Sequence, residues 1–113
     1  MSEQDEFNQA VREAVEYALD EADNVEEKGD IDTMVSAWID GRTKFASDMK
    51  KHGNETRSGW TVGGVKMTDK YGIVLASLQT QHYRVKRRAY EAFAERMGEL
   101  GWNCSLDIDQ YAY

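Results

Sequence analysis

The chain has 113 residues, of which 41% are hydrophobic and 31% charged, and its formal net charge is −7. This length is typical of one domain, residues 1–113, and the hydrophobic share supports a folded core, which argues against wholesale disorder. The single cysteine, Cys104, excludes an intramolecular disulfide and a cysteine-based zinc cluster. Because the amino-terminal residues are polar and no long apolar run occurs, we expect a soluble cytoplasmic protein without membrane association.

Charge is distributed unevenly along the chain. Residues 1–40 contain thirteen Asp or Glu against two Lys or Arg, a net charge of −11. Residues 41–90 contain eleven cations against three acids, a net charge of +8, and residues 91–113 return to −4. Such asymmetry affects solubility and the choice of partners and says little about fold.

The first predicted element is a helix that begins near Ser2 and ends at Gly29. Ser2 followed by Asp5 fits an amino-terminal capping box. Apolar side chains recur at steps of three and four residues and predict one buried stripe, formed by Phe7, Val11, Ala14, Ala18, Ala22 and Val25.

A second helix is predicted over residues 30–52, with Asp30 or Asp32 as its cap and Gly53 after its end. Its apolar stripe would contain Ile31, Met34, Val35, Trp38, Phe45 and Met49. Gly41 in the middle of this helix costs about 1 kcal/mol relative to alanine. Because a short loop joins the two helices, we expect them to form an antiparallel hairpin.

Residues 60–80 permit two interpretations. The segments WTVGGVKM and IVLASLQT, joined by TDKYG, predict a β-hairpin, which the Ile–Val pair and Gly72 favour and the Gly63–Gly64 pair weakens. The alternative is one helix from Asp69 to Leu100, because apolar residues from Tyr71 to Phe93 also fit a helical period.

Both interpretations predict a helix from about residue 81 to residue 100. The following segment, WNCSLDIDQ, alternates apolar and polar residues, which is typical of a half-buried strand. The expected class is therefore α+β, with two amino-terminal helices, a β-hairpin, a long helix and a carboxy-terminal strand. The alternative is a mostly α fold that contains the helix 69–100.

The last helix begins with an unusual density of cations. We call the basic cluster the four cations within five positions and their two tyrosine neighbours: Arg84, Lys86, Arg87, Arg88, Tyr83 and Tyr90. Arg87 and Arg88 can pair with Glu91 on the same helix, which would make this a self-paired, solvated face. However, the cations precede the acids along this helix, the reverse of the order that the helix macrodipole favours. We therefore expect the arginines to face either the acidic first helix or an external anion.

The first helix offers a candidate contact surface of the opposite sign. We call the acidic face its carboxylates at helical spacing: Glu13, Glu16, Asp20, Asp23 and Glu27. A row of carboxylates can occupy a groove built for nucleic-acid phosphates, as small acidic inhibitors encoded by phages and plasmids do as a group. The simpler interpretation is an ordinary solvated helix face.

No pattern in the sequence predicts catalysis, a cofactor or a metal site. His52 and His82 have no companion at metal-ligand spacing, and Cys104 lies among apolar positions. Asp107 and Asp109 suit a hard cation, but two carboxylates on an exposed strand are usually only solvated.

We therefore predict a non-catalytic binding protein, a regulator or inhibitor that contacts a protein partner, of the phage or plasmid type that acts on nucleic-acid-handling machinery. One alternative is a nucleic-acid-binding protein that uses the basic cluster. The other is a homodimer subunit that uses Trp60, Trp102 or the edge of the final strand.

Overall fold

A computed structural model describes residues 3–26, 33–40, 42–52, 62–67, 70–75, 82–103 and 107–112 of the chain. In chain order the elements are α1 (Glu3–Asp23), β1 (Thr33–Asp40), α2 (Lys44–His52), β2 (Val62–Met67), β3 (Lys70–Leu75), α3 (Tyr83–Glu99) and β4 (Asp107–Ala112). The strands form one antiparallel sheet in the order β2-β3-β1-β4. The α+β class predicted from the sequence is confirmed. Among these helices, none is long and apolar enough to cross a membrane.

Helices α1 and α3 pack against each other through small residues. Ala10, Ala14, Ala18 and Ala22 recur every four residues along α1, and each is 5% exposed or less. Ala89 and Ala92 of α3 are fully buried. Because alanine side chains are short, this packing allows the two helix backbones to approach closely.

The central strand β1 turns one face towards the helices. Val35, Ala37 and Ile39 are buried, whereas Trp38, which lies between two of them, is partly exposed. This alternation is the period of two residues that a strand with one covered face requires. Gly72 of β3 is the direct backbone partner of Trp38 in the antiparallel register.

Four aromatic rings bring the three helices together, and we call them the aromatic junction: Phe7, Phe45, Phe93 and Trp102. The ring centroid of Phe45 lies 5.8 Å from that of Phe7 and 5.8 Å from that of Phe93. Trp102 meets Phe7 edge-on, with centroids 5.7 Å apart. The short helix α2 is held on the helical side of the sheet by this junction, because Phe45 is fully buried.

The predicted helix over residues 30–52 is wrong in its first half. Residues 33–40 form β1, and helix α2 begins only at Lys44. The β-branched and aromatic residues of this segment favour a strand, and Val35, Ala37 and Ile39 supply the period of two. The apparent helical stripe through Met34, Val35 and Trp38 was coincidental.

The chain between β1 and α2 turns sharply, which explains why the helix cannot extend backwards. The backbone N–H of Arg42 donates to Asp40 Oδ1 at 2.8 Å, and Thr43 Oγ1 donates to the carbonyl oxygen of Asp40 at 2.9 Å. Thr43 Oγ1 also accepts a hydrogen bond of 3.2 Å from the N–H of Ala46, which is an N-cap contact. The predicted antiparallel hairpin of the first two helices is therefore wrong, and the antiparallel neighbour of α1 is α3.

The remaining elements follow the first interpretation. Strands β2 and β3 form a hairpin as predicted, although β3 begins at Lys70, inside the segment TDKYG that was expected to form the turn. Strand β3 also pairs with β1, so the alternative helix 69–100 is wrong. The carboxy-terminal strand is confirmed, although it begins at Asp107. Predictions that concern Ser2, Glu27, Gly29, Asp30, Ile31, Asp32, Gly41, Gly53, Trp60 and Cys104 lie outside the described residues.

Candidate interaction surface

The carboxylates of α1 fall into two groups according to the side of the helix on which they lie. Glu13 and Glu21 reach arginines of α3, with oxygen–nitrogen distances of 3.8 Å to Arg96 and 2.5 Å to Arg88. Within each helix the two participating residues are eight positions apart. Because eight residues are close to two helical turns, both contacts lie along one antiparallel α1–α3 interface.

Each of these arginines also meets a carboxylate of its own helix. Arg88 Nη1 lies 3.2 Å from Glu95 Oε1, and Arg96 Nη1 lies 3.2 Å from Glu99 Oε2. The guanidinium of Arg96 additionally stacks 4.5 Å from the ring centroid of Tyr17. The α1–α3 interface therefore combines buried alanines with a border of paired charges.

The ion pair between Arg88 and Glu21 shifts the pKa values of both side chains. The hydrogen bond from Arg88 holds the pKa of the Glu21 carboxyl below its ordinary value, against a smaller opposing effect of desolvation. The same bond raises the pKa of Arg88, and burial again opposes the shift. Glu21 therefore stays ionised under mildly acidic conditions in the folded state.

This arrangement explains the unexpected charge order on α3. Helix α1 ends with carboxylates and has no basic residue in its last turn, whereas α3 has no acidic residue in its first turn. Carboxylates at the carboxy-terminal end of α1 and cations at the amino-terminal end of α3 are both unfavourable for the dipole of the helix that carries them. Because the helices are antiparallel, the cationic start of α3 lies beside the acidic end of α1, where Arg88 contacts Glu21.

The other members of the basic cluster have separate surroundings. Arg87 Nε donates to Glu91 Oε1 at 3.0 Å within α3, and Arg84 Nε donates to the hydroxyl of Tyr83 at 3.2 Å. Lys86 is partly exposed. Tyr90 is only 7% exposed and belongs to the core, so its ring is not presented to solvent for base stacking.

Three members of the acidic face point outward. Glu16, Asp20 and Asp23 are exposed, and none of their side chains forms an ion pair or hydrogen bond with another of the described residues. Glu13 is half exposed beside Arg96. With the ~1.5 Å rise per residue of a helix, the carboxylates from Glu13 to Asp23 cover about 15 Å of surface.

Sequence reasoning missed Glu21 and Arg96 as partners across the interface. Glu21 flanks the buried Ala18 and Ala22, and Arg96 flanks the buried Met97. The available signal was the common spacing of eight residues between two acids on one helix and two arginines on another. That signal could be used only if the two helices were already known to be antiparallel neighbours.

A second feature of the surface is a cleft beside Trp102. Gly101, with φ of +106°, turns the chain at the end of α3, and the N–H of Trp102 donates to the carbonyl oxygen of Met97 at 2.9 Å. This turn places the indole so that its Nε1 donates to Asp48 Oδ2 at 2.6 Å. The ammonium of Lys44 lies 4.8 Å from the indole centroid.

The Trp102 cleft has a volume of about 370 Å³ and lies between the starts of α1 and α2 and the end of α3, lined by Glu6, Arg42, Thr43, Lys44, Ser47, Asp48 and Trp102. At its edge, the guanidinium of Arg42 contacts both carboxylate oxygens of Asp40, at 3.1 and 2.8 Å. These hydrogen bonds lower the pKa of Asp40 to about 2. The sequence drew attention to Trp102 but not to this environment.

The residues considered for metal binding or catalysis are not brought together by the fold. Among the described residues, no three His, Cys, Asp or Glu side chains form a group that could hold a metal ion. His82 occupies the N-cap position of α3, but its side chain makes no capping hydrogen bond. Asp107 is exposed at the start of β4.

The fold and these surfaces define a small α+β domain with an acidic outer helix. No family model, curated protein or solved structure matches this chain. The charged surfaces of α1 and α3 and the Trp102 cleft are therefore the features from which a function can be inferred.

Proposed function

We propose that this protein is a non-catalytic binding domain that docks on a basic surface of a protein partner through the acidic face of α1, and so regulates or inhibits that partner. The observation that carries this proposal is the outward position of Glu16, Asp20 and Asp23, which the described cations do not neutralise. The proposal includes action in the cytoplasm without a cofactor.

Nucleic-acid-handling proteins are the kind of partner that this surface suits. Their binding grooves carry cations positioned for phosphates, and a rigid row of carboxylates can occupy the same positions. Helix α1 is a suitable support because its opposite side is anchored in the core by Phe7 and the buried alanines. Complementary charge would accelerate association and favour basic partners over neutral ones.

The contacts of the basic cluster favour a protein partner over direct binding of nucleic acid. Arg88 is only 31% exposed and already meets Glu21 and Glu95. Arg87 meets Glu91, and Tyr90 is buried. Binding of phosphate by these arginines would have to compete with carboxylates that are already in place, and Glu16 and Asp20 would repel it.

The test replaces the three outward carboxylates together, as Glu16→Gln, Asp20→Asn and Asp23→Asn. A matched control removes the same number of charges elsewhere, as Glu26→Gln, Glu99→Gln and Asp107→Asn. Partners captured from a cytoplasmic extract of the source organism are identified, purified and titrated against both variants. We expect the first variant to lose at least about tenfold in affinity, or ~1.4 kcal/mol, and the control to retain it. Equal affinities of the two variants would reject the proposal.

A second titration separates the alternatives. Labelled single-stranded DNA, duplex DNA and RNA are added from low to physiological salt. Tight binding that is lost on Arg84→Ala and Arg87→Ala, with a log–log salt slope of about −0.9 per duplex phosphate contacted, would replace the proposal with direct nucleic-acid binding. Sedimentation equilibrium over a wide concentration range tests the homodimer alternative, for which β4 at the edge of the sheet is the candidate contact.

A further inference from the structure

The Trp102 cleft already contains a cation that the chain itself supplies. The ammonium of Lys44 lies over the indole at 4.8 Å from its centroid, where the negative face of the ring attracts positive charge. Asp48 accepts a 2.6 Å hydrogen bond from indole Nε1, and Glu6 also lines the cleft. An aromatic face flanked by two carboxylates is a surface that prefers a cation.

The charge balance of the cleft depends on Lys44. The charge of Arg42 is neutralised by Asp40: Arg42 Nε lies 3.1 Å from Asp40 Oδ1, and Arg42 Nη2 lies 2.8 Å from Asp40 Oδ2. Without Lys44, Glu6 and Asp48 would leave the cleft with an uncompensated negative charge. Since Lys44 is exposed, its side chain can swing into water, and a cation of similar chemistry can then take its place.

The Trp102 cleft also adjoins the surface assigned to partner binding. Glu6 lies on the cleft rim and on the same helix as Glu13, two turns earlier along α1. A basic partner that covers the acidic face would therefore bring its own side chains to the mouth of the cleft. Partner side chains that enter a pocket with an aromatic wall commonly contribute much of the binding energy, and arginine is enriched among them.

We propose that a lysine or arginine side chain of the basic partner displaces Lys44 and occupies the Trp102 cleft, between the indole face and the carboxylates of Glu6 and Asp48. This inference rests on the function proposed above and specifies its anchor. Lys44 acts as an internal competitor of the partner's side chain, so its removal strengthens binding. Most substitutions of a residue that contacts a partner directly would have the opposite effect.

The test uses an amidated hexa-arginine peptide as the probe and the full chain labelled with ¹⁵N. Lys44→Met removes the ammonium and keeps the apolar stem. Lys86→Met on α3 is the matched control, because it changes the net charge equally at a distance from the cleft. The indole resonance of Trp102 is assigned by eliminating those of Trp38 and Trp60 with Trp38→Phe and Trp60→Phe. The peptide is titrated at low and physiological salt.

We expect the peptide to shift the Trp102 indole resonance and to bind Lys44→Met about two- to fivefold more tightly than Lys86→Met, the range of one exposed cation–π contact. Glu6→Gln should weaken binding relative to Glu26→Gln. Equal affinities of the two lysine variants, or an unmoved Trp102 resonance, would overturn the proposal. If the triple variant at Glu16, Asp20 and Asp23 still loses peptide binding in that case, the result rejects the cleft proposal and supports the acidic face as the binding surface. If substitutions in neither region change the affinity for the peptide, both proposals are rejected.

Discussion

The α1–α3 interface joins two helices and the aromatic junction joins the same two to α2, by different physical means. At the interface, small alanines pack inside a border of charged pairs that are partly open to water, such as Arg88 with Glu21. At the junction, Phe45 contributes a fully buried ring that contacts Phe7 and Phe93. The junction should therefore supply most of the stability, whereas the interface determines which helices pair and in which direction.

The largest effect on stability is expected from Phe45→Ala. Removing a fully buried ring leaves a cavity among Phe7 and Phe93, and we expect the free energy of unfolding to fall by about 3–5 kcal/mol. Chemical denaturation followed by circular dichroism measures the loss. Ser47→Ala, at an exposed position of the same helix, is the control and should change little. A loss below about 1 kcal/mol for Phe45→Ala would show that the junction is not the main source of stability.

The next largest effect is expected from Thr43→Ala, which removes the N-cap of α2. The hydroxyl of Thr43 accepts a hydrogen bond from Ala46 N–H and donates one to the Asp40 carbonyl, so its loss should cost about 1 kcal/mol. Thermal and denaturant unfolding provide the measurement. Thr43→Ser keeps the hydroxyl and should restore most of the stability. If serine and alanine are equally destabilising, the methyl group rather than the cap is responsible.

A smaller effect distinguishes the two kinds of ion pair on α3. A double-mutant cycle with Arg88→Met and Glu21→Gln should give a larger coupling energy than the same cycle on Arg87 and Glu91. The Arg88–Glu21 pair is less exposed and joins two helices, whereas the Arg87–Glu91 pair lies along one exposed helix turn. Coupling energies that are equal within error would mean that the α1–α3 pair contributes no more than an ordinary surface contact.

The sequence predicted the long helices and the β-hairpin but missed strand β1. The long helices and the β-hairpin were found because their apolar periods and glycine punctuation are local properties. Strand β1 was missed because Met34, Val35 and Trp38 also fit a helical period, and only the sheet on either side of β1 decides between the two. Both the Ala37–Ile73 and the Ala37–Ile108 pairing depend on segments distant in the chain.

The candidate site was predictable in composition but not in arrangement. The acidic face and the basic cluster are visible as residue types at helical spacing, and the charge order on α3 indicated that its arginines face something acidic. The partner of Arg88 lies 67 positions away, so no local pattern could identify it as Glu21. The position of Trp102 against Phe7 depends equally on the turn at Gly101, the end of α3 and the start of α1.

The smallest predicted effect is the dependence of stability on pH at the α1–α3 interface. The folded-state pKa of Glu21 is lowered by Arg88, so the stability it contributes is fully present above its ordinary pKa of 4.5 and is lost as pH falls through the lower folded value. We expect the thermal midpoint of the protein to fall more steeply below pH 4.5 than that of Glu21→Gln, and the two curves to run parallel at neutral pH. Calorimetry from pH 7 to pH 2.5 makes the measurement.

Asp40 provides the control for the acid range because its described contacts, with Arg42 and Thr43, lie in the turn before α2 and not in the α1–α3 interface. Its pKa is lowered from 3.8 to about 2 by Arg42, so its contribution is lost between these values, at lower pH than the onset for Glu21. The curve of Asp40→Asn should therefore run parallel to the wild-type curve above about pH 4, and the two curves should approach each other only below it. If Glu21→Gln and Asp40→Asn instead give the same pH profile, the acid sensitivity belongs to the carboxylates as a whole and not to the α1–α3 interface.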